Sequence, residues 1–176
     1  MTLSFPHFLD KLDTFDRHVP LDDLTRLMRE VDLSLAELEE YIRFSDDRYQ
    51  RNLVRAGRCF HALVLCWKSG QCSPIHDHRG SSCGVRVLKG EMSETPFARD
   101  AEGNLIEGET HVLKESAICG SYDSDIHEVS NRQESGGELI TLHIYSPPLL
   151  RMGLYERGSR KVEIWHDPVQ ELLPNA

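Results

Sequence analysis

Apolar positions in the first quarter of the chain recur at helical spacing. Phe5, Phe8, Leu9, Leu12 and Phe15 form one stripe, and Leu21, Leu24, Leu27, Met28 and Val31 form a second, as expected of helices that bury one face. Ser34, with Glu37 three residues on, has the form of a capping box and predicts a third helix carrying Leu35, Leu38, Tyr41 and Ile42. From Cys59 the period shortens. Short apolar runs broken by glycine, asparagine or proline predict strands over 59–67, 83–89, 91–97, 105–113, 117–121, 126–130, 138–145 and 161–166. The reading is a mainly β chain in one domain: an N-terminal layer of about three α-helices over 1–47, and a β barrel over 48–176. The helices carry too little apolar surface for a core of their own and are expected to pack on the outside of the barrel.

Composition narrows the function classes. With 176 residues and 39% hydrophobic content, the chain can bury one sizeable core. A net charge of -9 opposes the counterion-release binding that basic proteins use on nucleic acid or anionic membranes. Asp10, Asp13 and Asp16 interrupt the first apolar stripe, unlike a secretory leader, and the longest apolar run, Ala62 to Trp67, is too short to span a bilayer. The five cysteines are odd in number and contain no Cys-x-x-Cys pair, which reads as a reducing, cytoplasmic setting. Cys59, Cys66, Cys72 and Cys119 read as small buried or half-buried thiols.

The chemistry concentrates around His76-Asp77-His78, framed by Gly70, Cys83 and Gly90. Two histidines two apart on a strand share a face, so both imidazoles can grip one metal ion while Asp77 points away. The spacing is similar to the first motif of the cupin barrels, in which a glutamate ligand usually stands where this chain has Cys83. The exchange implies an all-histidine site on a cupin barrel (double-stranded β-helix, jelly-roll). The third ligand is expected at His127, which with Asn131 four residues on resembles the second cupin motif. Tyr122 and Ser124 replace the proline and glycine usual there.

Four further segments resemble one family within the cupins, the cysteine dioxygenases: residues 48–54, residues 65–67, Ser73-Pro74-Ile75, and Thr141 to Pro148. With the two motifs they run in order from about Tyr41 to Trp165. Imidazole ligands alone do not choose among iron, zinc, copper and nickel; the resemblance implies iron(II). It also implies L-cysteine and O2 as substrates, cysteine sulfinate as product, and a monomer. Arg51 would bind the substrate carboxylate and Tyr49 would line the pocket. Composition alone reads Arg48, Arg51, Arg55 and Arg58 as a solvated basic stretch at a helix end. Thr141, His143 and Tyr145 alternate on one predicted strand and so share a face. They resemble the family's Ser-His-Tyr relay, with threonine in place of serine.

The resemblance further implies a thioether between Cys83 and Tyr145, and a cis bond at Ser146-Pro147. Strict alternation from the histidine pair would turn Gly84 inward rather than Cys83, so the thioether requires a turn or bulge within residues 79–82. His7, His18, His111 and His166 have no partner at ligand spacing and read as surface or satisfied polar residues, and His61 as a core residue. Three rivals remain: a dioxygenase of 3-mercaptopropionate or another small thiol, a metal-dependent binding or sensor cupin without turnover, and a zinc enzyme that activates water.

Overall fold

The computed structural model describes residues 2–123, 125–134 and 136–166. Ser124 of the second motif and the end of the expected barrel, 167–176, lie outside the described residues, as does Met1. Strands β1 (Leu3–Ser4) and β2 (Val31–Asp32) form a parallel pair that brackets helices α1 (Phe5–Leu12) and α2 (Leu21–Glu30). The third predicted helix is a 3-10 helix, Leu35–Tyr41, and its Ser34/Glu37 capping box is present.

The body is built from β3 (Gln50–Ala56), β4 (His61–Trp67), β5 (Ile75–His76), β6 (Ser82–Lys89), β7 (Glu91–Arg99), β8 (Leu105–Glu107), β9 (His111–Lys114), β10 (Ile118–Tyr122), β11 (Ile126–Ser130), β12 (Leu139–Ser146), β13 (Arg151–Tyr155) and β14 (Val162–His166). Among the described residues they make two sheets. One has the order β10-β6-β12-β4-β3; the other has β14-β13-β5-β11-β7-β8, with β9 also paired to β7.

Several expectations are corrected. The predicted strand 105–113 is two strands, β8 and β9, both paired to β7. The arginine-rich stretch is not a helix end but β3, whose Arg51 pairs with Leu65. Strand β13 has no counterpart among the predicted strands. The histidine pair does not share a strand either, because β5 ends at His76 and His78 lies in the turn beyond it.

Alternation explains why β4 reads as an unbroken apolar run. Ala62, Val64 and Cys66 face the helical layer, whereas Leu63, Leu65 and Trp67 face the interior between the sheets, so all seven residues are buried. Strand β12 divides likewise: Ile140, Leu142 and Ile144 belong to the helix-side cluster, and Leu139 and Tyr145 to the interior one. Helix α2 seats on a flat spot made by a cross-strand glycine pair, Gly84 of β6 and Gly120 of β10. A Cβ at Gly84 would lie 2.6 Å from Met28 Sδ, and one at Gly120 would lie 2.7 Å from Leu21 Cδ1. Gly84→Ala is therefore expected to destabilise the protein by about 1–3 kcal/mol through overpacking, measured as a lower urea midpoint at unchanged slope.

Candidate metal centre

The interior between the sheets contains a cavity lined by residues from both, among them Tyr49, Arg51, His76, His78, His127, His143, Tyr145 and Cys83. His76 and His127 are direct cross-strand partners of β5 and β11. His78 reaches the same point through an interlocked pair of turns. Its backbone N–H donates to the Asp123 carbonyl at 2.8 Å, the Ser81 N–H donates back to the His78 carbonyl at 3.0 Å, and the Asp123 N–H donates to the Ser81 carbonyl at 3.2 Å. Arg79 and Gly80 bend this turn with φ of 45° and 87°. The turn changes the alternation that strict counting assumes, so Cys83 faces the interior and Gly84 lies under α2.

The ligand-capable nitrogens of His76, His78 and His127 all lie within 4.8 Å of one another. His76 Nδ1 is hydrogen-bonded to the Pro74 carbonyl at 2.9 Å and His127 Nδ1 to Glu94 Oε1 at 2.6 Å. Each bond occupies one ring nitrogen and leaves Nε2 as the lone-pair site. His78 is fully buried, and neither of its ring nitrogens has a hydrogen-bond partner among the described residues. Such a group costs about 1–3 kcal/mol unless something binds it, and three converging imidazoles suit a transition-metal ion. Burial, reinforced by the neighbouring His127, pulls His76 down to about 3 and His78 well below its ordinary value. Both are thus held neutral, the form that ligates.

One supporting group, Glu94, escaped sequence reading, as did the partners of Asp77. Glu94 stands on β7 behind His127; burial pushes its carboxyl up, but the hydrogen bond from His127 outweighs this and holds it below the usual carboxylate range. It places a negative charge one hydrogen bond behind the three-histidine group. Glu94→Ala is expected to weaken metal binding by about 10- to 100-fold, read by competition with a chelator. Asp77 does point away from the site: its Oδ1 accepts from the Gly153 N–H at 2.8 Å and its Oδ2 from the Tyr155 hydroxyl at 2.6 Å. This buried carboxylate ties the segment between His76 and His78 to β13.

Opposite the histidines runs a line of hydrogen bonds. Trp67 Nε1 donates to Thr141 Oγ1 at 3.1 Å, Thr141 Oγ1 meets His143 Nε2 at 2.9 Å, and His143 Nδ1 meets the Tyr145 hydroxyl at 3.2 Å. Burial keeps His143 neutral and pushes the Tyr145 phenol above its ordinary range. The Arg51 guanidinium lies 5.5 Å from the Tyr145 ring centroid, and Tyr49 stacks on Trp67 with centroids 4.1 Å apart. Cys83 is the cross-strand partner of Tyr145, and burial pushes its thiol up. The Ser146-Pro147 bond is cis. Asn131 is fully buried and bonds the carbonyls of Trp67 and Gly137. His7, His18 and His111 are outside the cavity, as is His166.

A mainly β fold of this kind is a cupin barrel, and the three buried histidines that converge in its interior are a candidate metal site. The double-stranded β-helix recurs in solved structures. A protein of Thermus thermophilus superposes with a TM-score of 0.53 at 18% identity, covering 63% of this chain and 94% of that one. An uncharacterised conserved protein with a double-stranded β-helix domain from Klebsiella pneumoniae gives 0.53 at 20% identity, covering 68% and 95%. Within the cupins, residues 10–158 match the family described as cysteine dioxygenase type I, and the chain belongs to that family. It is 34% identical to cysteine dioxygenase type 1 of Bos taurus and of Homo sapiens over 134 residues, 74% of this chain and 66% of each relative. The Danio rerio protein of that name is 31% identical over 135 residues, 74% of this chain and 67% of the relative.

Proposed function

We propose that the protein is a non-haem iron(II) thiol dioxygenase that oxidises the thiol of L-cysteine with O2 to cysteine sulfinate. One observation carries the reading: a buried three-histidine group and a hydrogen-bonded Thr141-His143-Tyr145 line face each other across one cavity that also holds Arg51. Family membership supports it.

His76, His78 and His127 would hold the metal. Bound there, iron(II) would supply open coordination positions and the redox chemistry that oxygen transfer to a thiol requires. The remaining work falls to the side chains around it. Arg51 offers two parallel donors to the substrate carboxylate, a match that an ammonium cannot make. Tyr49, stacked flat on Trp67, also lines the cavity.

The relay is ordered by the Trp67 indole, which can only donate. With Thr141 accepting from it, the threonine hydroxyl proton is available to His143 Nε2; donated there, it leaves Nδ1–H to donate to the phenol oxygen. The Tyr145 hydroxyl proton is thereby left for a partner in the cavity. The methyl group that distinguishes Thr141 from serine is accommodated at a fully buried position without loss of either bond.

Cys83 and Tyr145, which are cross-strand partners, would form a thioether between Sγ and the phenol ring. Its formation removes one hydrogen from the thiol and one from the ring, with the two electrons passing to O2. The link would stiffen the phenol rather than create the activity. All five cysteines are free thiols, in keeping with a cytoplasmic monomer. No helix among the described residues is long and apolar enough to cross a membrane.

Oxygen uptake by anaerobically iron-loaded protein, with L-cysteine, 3-mercaptopropionate and cysteamine compared in parallel, tests the reading. Preference for cysteine with one sulfinate formed per O2 consumed is the expected result. Preference for 3-mercaptopropionate would reassign the substrate, and binding without turnover of any thiol would make the protein a sensor.

A further inference from the structure

The segment joining α1 to α2 crosses the end of the β6–β12 strand pair one residue beyond Cys83 and Tyr145. Ser82 and Ser146 are cross-strand partners immediately after the Cys83/Tyr145 pair, and both are fully buried. Each serine hydroxyl is taken by one of two consecutive residues of that segment. His18 Nε2 meets Ser82 Oγ at 2.8 Å, and the Val19 N–H donates to Ser146 Oγ at 2.8 Å. Ser146 Oγ in turn donates to the Cys59 carbonyl at 2.8 Å, which fixes its direction. Val19 is fully buried in the helix-side core, so the segment cannot slide without opening that core.

We infer that His18 is a positioning residue: with Val19 it forms a strap that locks the register of the β6–β12 end and so holds Cys83 against Tyr145. The consequence for the thioether rests on the dioxygenase reading; the lock on the strand end does not. His18 does not line the cavity; it acts through its bond to Ser82 and through its ring, which lies 6.1 Å from that of Tyr122, the β10 partner of Ser82. The strap anchors one strand through a side chain and the other through a backbone amide. A side-chain substitution at His18 therefore releases Ser82 of β6 and the ring contact to Tyr122 of β10, leaving the Val19 bond to β12 in place.

The test compares His18→Ala, His18→Gln and Asp10→Ala with the wild type. Gln retains a polar nitrogen and oxygen near the place of Nε2. Asp10→Ala removes a 2.9 Å ion pair to Arg55 that docks α1, and leaves the strap untouched. Amide hydrogen exchange is read at residues 82–84 and 144–146, and the thioether fraction is read by intact mass after aerobic turnover of iron-loaded protein with cysteine. In His18→Ala, exchange at 82–84 should rise roughly three- to tenfold, the effect of one part-buried hydrogen bond on a local opening, and the thioether fraction should fall. His18→Gln should restore both readouts, whereas Asp10→Ala should change neither. Unchanged exchange in His18→Ala, or an equal rise in Asp10→Ala, would overturn the inference. If the wild type forms no thioether, that part of the dioxygenase reading fails, and the strap stands or falls on the exchange data alone.

Discussion

His78→Ala is expected to abolish the stabilisation that added metal gives the wild-type protein. In the metal-free wild type, the fully buried ring keeps two nitrogens without hydrogen-bond partners among the described residues, a cost that metal binding offsets. Iron(II) at about a hundred times its dissociation constant should therefore stabilise the wild type by about 2.7 kcal/mol. Removing one of three ligands should weaken binding by more than about 100-fold, since loss of a single outer hydrogen-bond partner alone costs up to that much. At the same metal concentration the variant should show almost no gain in melting temperature and no oxygen uptake. The metal-free variant should still fold, because the deleted ring was itself unsatisfied. Calorimetry with and without metal checks both statements. A full metal-dependent rise in the variant would mean that His78 is not a ligand.

Arg51→Ala carries the second large effect. The guanidinium lies in the cavity wall above the Tyr145 ring, where a carboxylate bound to it would be shielded from water. Truncating one partner of such a pair costs about 2–3 kcal/mol at the lower end of the measured range, or roughly 30- to 140-fold in apparent affinity. The loss should fall on L-cysteine and 3-mercaptopropionate, which carry the carboxylate, and spare cysteamine, which does not. Arg51→Lys should recover only part of it, because an ammonium cannot make the paired contact. Steady-state oxygen uptake over a range of each thiol separates these outcomes. An equal loss with cysteamine would make Arg51 a prop for Tyr145 rather than a carboxylate site.

What the sequence made legible was periodic or local. The α1 and α2 stripes, the Ser34/Glu37 cap, the buried run of β4 and the alternation of Thr141, His143 and Tyr145 each depend on residues a few positions apart. What it hid depends on pairing between distant strands. Glu94 lies 33 positions from the histidine it supports, and Trp67 lies 74 from Thr141. Neither relation has a period. Strand β3 was masked because its arginines resemble a solvated face, whereas here they edge a sheet and one of them enters the cavity. The inward turn of Cys83 follows from positive φ at Arg79 and Gly80. Counting at strand period signalled that some break was needed without showing its form. The resemblance to cysteine dioxygenases bridged part of this gap by bringing Arg51 and Cys83 to notice before any pairing was visible.

The most direct test of the dioxygenase assignment is turnover of L-cysteine by iron-loaded protein under heavy-isotope dioxygen, with mass analysis of the sulfinate. Both sulfinate oxygens are expected to carry the label, as transfer of both atoms of O2 to one sulfur requires. A sulfinate that takes its oxygens from water, or consumption of O2 with disulfide as the only product, would contradict the assignment.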